Sequence, residues 1–336
     1  MGILYTILIF GVIITIHEFG HFIVAKLCKM KILEFSIGFG PKIYKSKGVF
    51  TLRLLPIGGY VALEGEDEDS QDENSFSKKP VWQRMLVIVA GATMNLILGF
   101  IIMLGIYSSQ PVYNSSTVAE FTQNATTQAT GLMVGDKIVK VNKTTILNDR
   151  DIVFELFRED DGIVDMKVVR DGKKIDLKGV KFDVSGEGEN RTINFDFKVV
   201  GVKRNVFTAL DYTVKNTVSL ARNSWVSIAD LFTGTVKFSD LSGPVGVGKV
   251  VNQAQKVGIE SVLMIAAFIS ISIGMFNLLP FPALDGGKLV LLVIELITKK
   301  AIPKKVEAII NAVGLLLLLG LMVAVTFKDI FFLFRR

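Results

Sequence analysis

The sequence predicts an α-helical polytopic membrane protein with about four transmembrane helices, a membrane-associated β-hairpin region and one inserted α+β domain. Of the 336 residues, 50% are hydrophobic and 21% are charged, a more apolar balance than soluble domains usually have. The apolar residues concentrate in four stretches, 3–25, 82–107, 257–284 and 308–327. Each stretch has about 20 residues or more, enough for a helix to cross ~30 Å of hydrocarbon.

The net charge and the single cysteine narrow the classes of function. The formal net charge of +6 requires no nucleic-acid partner, because basic residues beside membrane spans contact anionic lipid and set the topology. We therefore expect membrane lipid as a partner, and no nucleic acid. Cys28 is the one cysteine of the chain, which excludes an internal disulfide and a multi-thiolate metal site.

Residues 1–110 form the first predicted membrane part. Between its spans, 3–25 and 82–107, residues 32–61 combine strand-like runs with frequent glycine and proline. This segment is too apolar for an ordinary loop and too glycine-rich for a span. It favours a re-entrant or membrane-surface β-hairpin, or a pair of them, buried against protein. Residues 64–79 are acidic and then basic, which predicts a mobile loop.

Basic residues beside the spans predict the orientation of the chain in the membrane. The positive-inside rule places two basic connections in the cytoplasm, and the segment after Tyr107 is then extracytoplasmic. Lys328, Arg335 and Arg336 near the C-terminus oppose this placement, but the other signals agree. The basic residues are Lys26, Lys29, Lys31, Lys78, Lys79 and Arg84 in the first connection, and Lys299, Lys300, Lys304 and Lys305 in the second.

Residues 115–200 predict the inserted domain. Gly131-Leu132 and Gly135-Asp136 make turns, residues 137–141 alternate as a strand, and residues 149–158 have helical periodicity. Short strands with two small helices indicate a small β-barrel. The order Gly-Leu, Gly-Asp, alternating strand resembles bacterial PDZ domains, which bind an extended peptide at a sheet edge. A generic small α+β domain is the alternative.

Two further segments complete the chain. Residues 205–255 have apolar residues at helical spacings among polar ones, which predicts an amphipathic helix on the membrane surface. Residues 257–336 form the second membrane part, with the spans 257–284 and 308–327.

The chemistry centres on His17-Glu18-Phe19-Gly20-His21, which lies inside the first span. Residues four apart share a helix face, so the two imidazoles could bind one metal ion with Glu18 beside them as a base. Ionisable groups at membrane depth are costly and therefore candidates for function. The alternative is two chance histidines bonded to each other or to backbone.

A metal site needs a third ligand, and Asp285 is the stronger candidate. Pro280 and Pro282 cannot lie inside a regular helix, so the apolar run must break just before Asp285. The alternative is a proline kink in which Asp285 only caps the next helix. Glu34, past the end of the first span, is the weaker candidate. His21 and His17 lie five and nine residues before Lys26, about 8 and 14 Å inside that edge, so the site lies toward the cytoplasmic side.

Asn95 is a polar residue within the second span, in Gly91-Ala92-Thr93-Met94-Asn95. Close helix packing with one interhelical hydrogen bond explains it as well as a role near the metal site does.

Three features together resemble the site-2 protease family of zinc intramembrane metalloproteases, in its bacterial PDZ-containing branch. They are the histidine motif, the segment Asn277-Leu-Leu-Pro280-Phe-Pro282-Ala-Leu-Asp285-Gly and the single PDZ-like insert. The resemblance extends over the hairpin region, through Gly38-Phe39-Gly40-Pro41 and Pro56-Ile57-Gly58-Gly59-Tyr60-Val61. Gly91-Ala92 departs from the Gly-Pro that the family usually has.

The resemblance implies one zinc ion per chain on His17, His21 and Asp285, with Glu18 as the base. It also implies that Asn277 positions the substrate or supports the oxyanion, and that the membrane-associated β-segment 32–61 pairs with the substrate. The predicted substrate-binding residues are Asn277, Pro280, Pro282, Gly58 and Gly59.

The function that this resemblance implies is cleavage of transmembrane segments in regulated intramembrane proteolysis, for example of anti-sigma factors or signal-peptide remnants. The PDZ-like domain would screen the substrates. A catalytically inactive membrane adaptor that binds exported peptide tails is the alternative. The sequence leaves the scissile bond and the oligomeric state open.

Overall fold

The computed structural model describes residues 2–159, 161–186, 192–234 and 241–334. The chain divides into two compact units, one of Met1–Ile102 with Leu241–Arg336 and the other of Met103–Asp240. Arg335 and Arg336, which oppose the predicted orientation, and residues 187–191 of the predicted inserted domain lie outside the described residues.

Within the described ranges, four helices are long and apolar enough to cross a membrane, which confirms that part of the predicted fold. These four are α1, α2, α7 and α9 of the following set. The helices are α1 (Gly2–Leu27), α2 (Val81–Ser109), α3 (Thr126–Ala129), α4 (Asp149–Arg158), α5 (Val206–Thr233), α6 (Pro244–Val257), α7 (Ile259–Asn277), α8 (Asp285–Thr298) and α9 (Lys304–Phe334).

The third span differs from its predicted bounds of 257–284, because α7 ends at Asn277. The prolines at 280 and 282 then keep the chain out of a helix until α8 begins at Asp285. The non-helical segment between α7 and α8 therefore begins before the first proline, Pro280, and extends beyond the second, Pro282.

The first and second helices pack closely within the first unit. An ideal Cβ on Gly20 would lie 2.4 Å from the carbonyl oxygen of Ala90, so only glycine permits this approach of α1 to α2. Small residues allow such contacts between membrane helices, where van der Waals packing replaces the hydrophobic effect. The approach brings the histidine face of α1 against α2.

The predicted β-hairpin region is present as two antiparallel strands, β1 (Ile32–Lys45) and β2 (Phe50–Leu63). Both strands bend, so residues 35–37 pair with 59–61 and also with 50–52. Gly38 and Gly58 have φ angles of +84° and +80°, which glycine adopts without strain. The hairpin thus folds back on itself, and β2 returns to lie beside α1.

Residues 64–79 follow β2 and make more contacts than the prediction of a mobile loop assumes. Phe76 is buried, and its backbone N–H donates to the carbonyl of Glu64. Lys31 forms an ion pair with Asp72 at 2.8 Å. The segment is therefore anchored at both its acidic and its basic half.

The second unit contains an antiparallel sheet with the strand order β10-β3-β4-β6-β7, with β5 paired to β4 and a separate antiparallel β8-β9 pair. Its core is a cluster of buried apolar residues that includes Leu132, Ile138, Leu156, Val168 and Phe182. The strands are β3 (Val112–Phe121), β4 (Lys137–Val141), β5 (Thr144–Thr145), β6 (Ile163–Arg170), β7 (Lys173–Lys181), β8 (Asp183–Ser185), β9 (Thr192–Asn194) and β10 (Phe197–Lys203).

Helix α5 joins this unit through a polar face. Arg158 of α4 forms hydrogen bonds of 2.6 and 2.8 Å with Asp230, and Arg222 lies 2.8 Å from buried Asp151. Apolar residues at helical spacing occupy a different face and are exposed. These exposed residues are Phe207, Leu210, Val214, Val218 and Trp225.

Candidate metal centre

Three side chains from two helices converge in the first unit. The four-residue spacing in α1 stacks His17 and His21, and Asp285 approaches them from the first turn of α8. The Nε2 atoms of the two histidines lie 3.2 Å apart. Asp285 Oδ2 lies 3.1 Å from His17 Nε2 and 3.5 Å from His21 Nε2. Among the described residues this is the one cluster of histidine, cysteine and carboxylate ligands that could bind a metal ion.

The spacing of these ligand atoms fits a zinc ion. Tetrahedral zinc with bonds of 2.0–2.1 Å separates its ligand atoms by about 3.3–3.4 Å, close to the observed 3.1–3.5 Å. Asp285 Oδ2 is buried and makes no hydrogen bond of normal geometry within the described residues. An atom left in this state is costly unless a cation neutralises it.

The backbone of α2 forms the floor of the site. An ideal Cβ on Gly91 would lie 2.4 Å from His21 Nε2 and 2.7 Å from His17 Cε1. Any side chain at this position would therefore occupy the space beside the metal-facing nitrogens. The sequence predicts only close helix packing for Gly91. The position of Gly91 against the two imidazoles is visible only in the structure.

The tautomer of His21 follows from its hydrogen bond. His21 Nδ1 lies 2.8 Å from the carbonyl oxygen of Val87, and a carbonyl only accepts, so Nδ1 carries the hydrogen. In the neutral ring, Nε2 then presents a lone pair toward His17 and Asp285. Several lone pairs that face one another repel, and a bound cation removes that repulsion.

Asn95 is the corresponding partner of His17. Its Nδ2 lies 3.4 Å from His17 Nδ1, and its Oδ1 is buried without a hydrogen-bond partner among the described residues. Rotating the amide by 180° would give His17 Nδ1–H an acceptor and would leave Nε2 free for a metal. Asn95 follows Gly91 by one helical turn, so both lie on one face of α2. The structure thus favours the role near the site that the sequence left undecided.

The segment 278–284 places Asp285. Ala283 has a φ of +69° and donates its backbone N–H to Asn311 of α9 at 3.2 Å. An ideal Cβ on Gly286 would lie 2.1 Å from the carbonyl oxygen of Leu279, so the start of α8 packs tightly on the turn before it. Asp285 is the first residue of α8 and is aimed at the histidines, not at its own helix end. The helix-capping alternative is therefore not the arrangement observed.

Glu18 and the hairpin line the same cavity as the three ligands. The cavity has a volume of about 170 Å³, and Tyr60 and Val61 of β2 form part of its wall. The backbone of Val61 lies close enough to the Glu18 carboxylate to interact with it electrostatically. Extended backbone of β2 thus lies beside the candidate base.

The five predicted substrate-binding residues are divided by the structure. Gly59 lies near the site, since its ideal Cβ would be 3.6 Å from Glu18 Cγ. Gly58 instead faces the Phe39 ring, and Pro282 packs against Gly314 of α9. Asn277 is the last residue of α7, and Pro280 is exposed in the turn after it. Gly59 therefore lies beside the Glu18 side chain.

Glu34, the weaker candidate for the third ligand, is committed elsewhere. It forms ion pairs with Arg53 at 2.7 Å and with Lys42 at 3.2 Å. Burial alone would raise the pKa of Glu34, but the hydrogen bonds from Arg53 and Lys42 outweigh it and lower the pKa to about 2. Glu34 therefore stabilises the hairpin.

Comparison with known proteins identifies the family. Residues 5–321 match the family described as Peptidase family M50. The chain belongs to this site-2 protease family. A putative zinc metalloprotease of Clostridium perfringens is 36% identical over 336 residues, with 99% of each chain covered. The regulator of sigma-W protease RasP of Bacillus subtilis is 31% identical over 410 aligned positions, which cover 96% of this chain and 97% of the relative.

These findings confirm three predictions from the sequence: the family, the enzyme class and the metal. The M50 chain is a metalloprotease, and its metal is zinc. The roles of individual residues stay predictions, which the geometry above supports.

Proposed function

We propose that this M50 protein is an intramembrane endopeptidase that binds one zinc ion on His17, His21 and Asp285 and cleaves within transmembrane segments. The convergence of the three ligand atoms at 3.1–3.5 Å carries this proposal. Two of the ligands project from α1, a candidate membrane span, so the chemistry takes place at membrane depth.

Glu18 is the proposed general base. Zinc supplies Lewis acidity that polarises a peptide carbonyl and acidifies water. Glu18 accepts the proton of the attacking water and delivers it to the leaving amine. The carboxylate lines the same cavity as the three ligands, beside the backbone of Val61. Val87 and Asn95 hold the imidazoles with their Nε2 atoms toward the metal.

The hairpin is the proposed substrate clamp. A helical substrate hides its peptide bonds in backbone hydrogen bonds, so a segment must unwind before attack. Gly59 and Val61 of β2 offer extended backbone next to Glu18, to which an unwound segment can add as a strand. Asn277 ends α7, and Pro280 and Pro282 lie in the non-helical segment between α7 and Asp285. These three residues are proposed to position the other side of the substrate.

The proposed orientation places residues 64–79 in the cytoplasm and the segment after Tyr107, with the inserted domain, outside a bacterial cell membrane, as the distribution of basic residues predicts. The contrary signal at Lys328 is weakened by local contacts. Its ammonium group donates to the carbonyl of Leu241 and lies 3.6 Å from Asp329. The exposed apolar face of α5 supports its placement on the membrane surface.

The inserted domain is proposed to be PDZ-like and to screen substrates. A groove of about 410 Å³ lies between α4 and the edge strand β10. Ile152 and Val153 line one wall, and Phe197 and Val199 line the other. A sheet edge opposite a helix is the arrangement with which PDZ domains bind an extended peptide.

Proposed substrates are membrane proteins such as anti-sigma factors or signal-peptide remnants. The Bacillus subtilis relative is a regulator of sigma-W protease, and this supports the first class. The rival function, an inactive adaptor that binds exported tails, would use the same groove without the metal centre. The convergence of Asp285 Oδ2 and the two histidine Nε2 atoms favours the protease.

Substitution Glu18→Gln tests the proposal. Purified variant in liposomes should retain one zinc per chain, because Glu18 is not a ligand, and should lose cleavage of a transmembrane reporter. Glu73→Gln, an exposed carboxylate in the loop 64–79, is the matched control and should cleave as the wild type does. Cleavage retained by Glu18→Gln would contradict the assignment.

Substitution Val153→Arg tests the screening role. Charge in the groove should change cleavage of a reporter that carries a bulky outer domain, and should leave a trimmed reporter unaffected. Val134→Arg is the control, because Val134 is exposed in the same domain but does not line the groove. Equal effects of both variants on both reporters would exclude a role of the groove.

A further inference from the structure

A second, larger cavity adjoins the catalytic one. It has a volume of about 430 Å³ and is lined by charged residues of α8, of the segment 64–79 and of the connection into α9. Glu66 and Lys288 line both cavities. These two residues therefore form the partition between the zinc site and the larger cavity, which we call the polar cavity.

Glu66 and Lys288 are joined across this partition. Lys288 Nζ donates to Glu66 Oε1 at 2.7 Å, and Lys288 follows Asp285 by three residues on α8. Lys304 Nζ donates to the backbone carbonyl of Glu66, which fixes the loop from the other side. Gly65, next to Glu66, has a φ of +73°, a conformation that glycine changes at little cost.

Glu66 and Lys288 are the charged part of the catalytic cavity's lining outside the proposed catalytic and metal-binding residues. Apart from Tyr60 and the proposed catalytic and metal-binding residues, the lining described consists of Glu66, Lys288 and the apolar residues Val61, Leu63, Val87 and Ile88. Hydrolysis consumes water, and the products carry a new amine and a new carboxylate. Charged product ends cross a polar passage far more readily than an apolar one.

We propose that the Glu66–Lys288 ion pair is a gate, through which water enters the catalytic cavity from the polar cavity and polar product ends leave. The proposal rests on the zinc centre proposed above. The side chains of Lys288 and Glu66 are 28% and 16% exposed, so the pair lies at the edge of solvent. Glu66 holds the ammonium group of Lys288 in this position, so loss of the Glu66 charge releases it.

The gate predicts the rate at which zinc escapes. Full-length protein in detergent is loaded with zinc and mixed with excess EDTA, and the first-order rate of zinc transfer is measured. Glu66→Gln removes the charge that holds Lys288, and should accelerate transfer at least about fivefold. Asp69→Asn lines only the polar cavity and should stay within twofold of the wild type. Equal rates in Glu66→Gln and the wild type would overturn the gate.

A crosslink provides the reverse test. Glu66→Cys with Lys288→Cys, in a Cys28→Ser background, is bridged by a short reducible thiol crosslinker. The bridged protein should lose zinc at least about fivefold more slowly than the same protein after reduction. An unchanged rate would overturn the gate. Wild-type protein that binds no zinc at all would overturn the metal centre itself, so the two failures are distinguishable.

Discussion

Gly91→Ala is the sharpest test of the geometry of the metal centre. The added methyl group would lie 2.4 Å from His21 Nε2, whereas real Cβ contacts are essentially never shorter than 3.0 Å. The nitrogen must therefore move by at least about 0.6 Å, and zinc sites tolerate errors of about 0.2 Å in ligand distance. The methyl contact is with the metal-facing atom, so the metal-binding geometry is affected directly.

The size of the effect can be bounded. Loss of a residue that merely orients a ligand lowers metal affinity about 10- to 100-fold. Displacing the ligand itself should cost at least about 100-fold, or about 2.8 kcal/mol. Helix α2 should remain folded, because alanine has a higher helix propensity than glycine by up to about 1 kcal/mol.

The assay is zinc per chain at a series of buffered free-zinc concentrations, with the melting temperature measured in parallel. Gly105→Ala is the matched control, since it is the same change in the same helix and no described atom lies within 4 Å of its ideal Cβ. Wild-type zinc affinity in Gly91→Ala would refute the proposed position of the metal between α1 and α2.

Three further predictions follow from individual contacts. Asn95→Leu should lower zinc affinity about 10- to 100-fold by removing the partner of His17 Nδ1, and Thr93→Val on the same helix should not. The lowered pKa of Glu34 stabilises the fold above its ordinary pKa of about 4.3, and this contribution is lost as the pH falls through about 2. The melting temperature should therefore fall more between pH 5 and pH 2 in the wild type than in Glu34→Gln. Zinc removal by a chelator should abolish cleavage and lower the melting temperature, and added zinc should restore both. A melting temperature that the chelator leaves unchanged would contradict a zinc ion bound between α1 and α8.

The spans and the two halves of the metal centre could be predicted because each leaves a local pattern. Long apolar runs indicate spans, a four-residue histidine spacing indicates a shared helix face, and two prolines indicate a break before Asp285. The sequence placed the end of the third helix too late, because apolar composition continues through 278–284 after the helix has ended at Asn277. Hydropathy alone does not distinguish helical from non-helical apolar backbone.

Contacts between distant segments left no such pattern. Gly91 looks like any small residue of a membrane helix, and only its approach to His21 Nε2 shows its part in the site. Glu66 and Lys288 are 222 residues apart, so nothing local in an acidic loop or an apolar helix joins them. The segment 64–79 was predicted to be mobile from composition, whereas its bonds to Lys31, Lys288 and Lys304 depend on the folded arrangement.

The most direct test of the central claim is zinc content and reporter cleavage measured on the same preparations of wild type, His21→Ala and Asp285→Ala. The wild type should hold one zinc per chain and cleave a transmembrane reporter. Both variants should bind zinc weakly and should not cleave the reporter, because each lacks one of the three ligands. His21→Ala removes a ligand on α1, and Asp285→Ala removes the ligand on α8. A full zinc complement with normal cleavage in either variant would contradict the proposed centre.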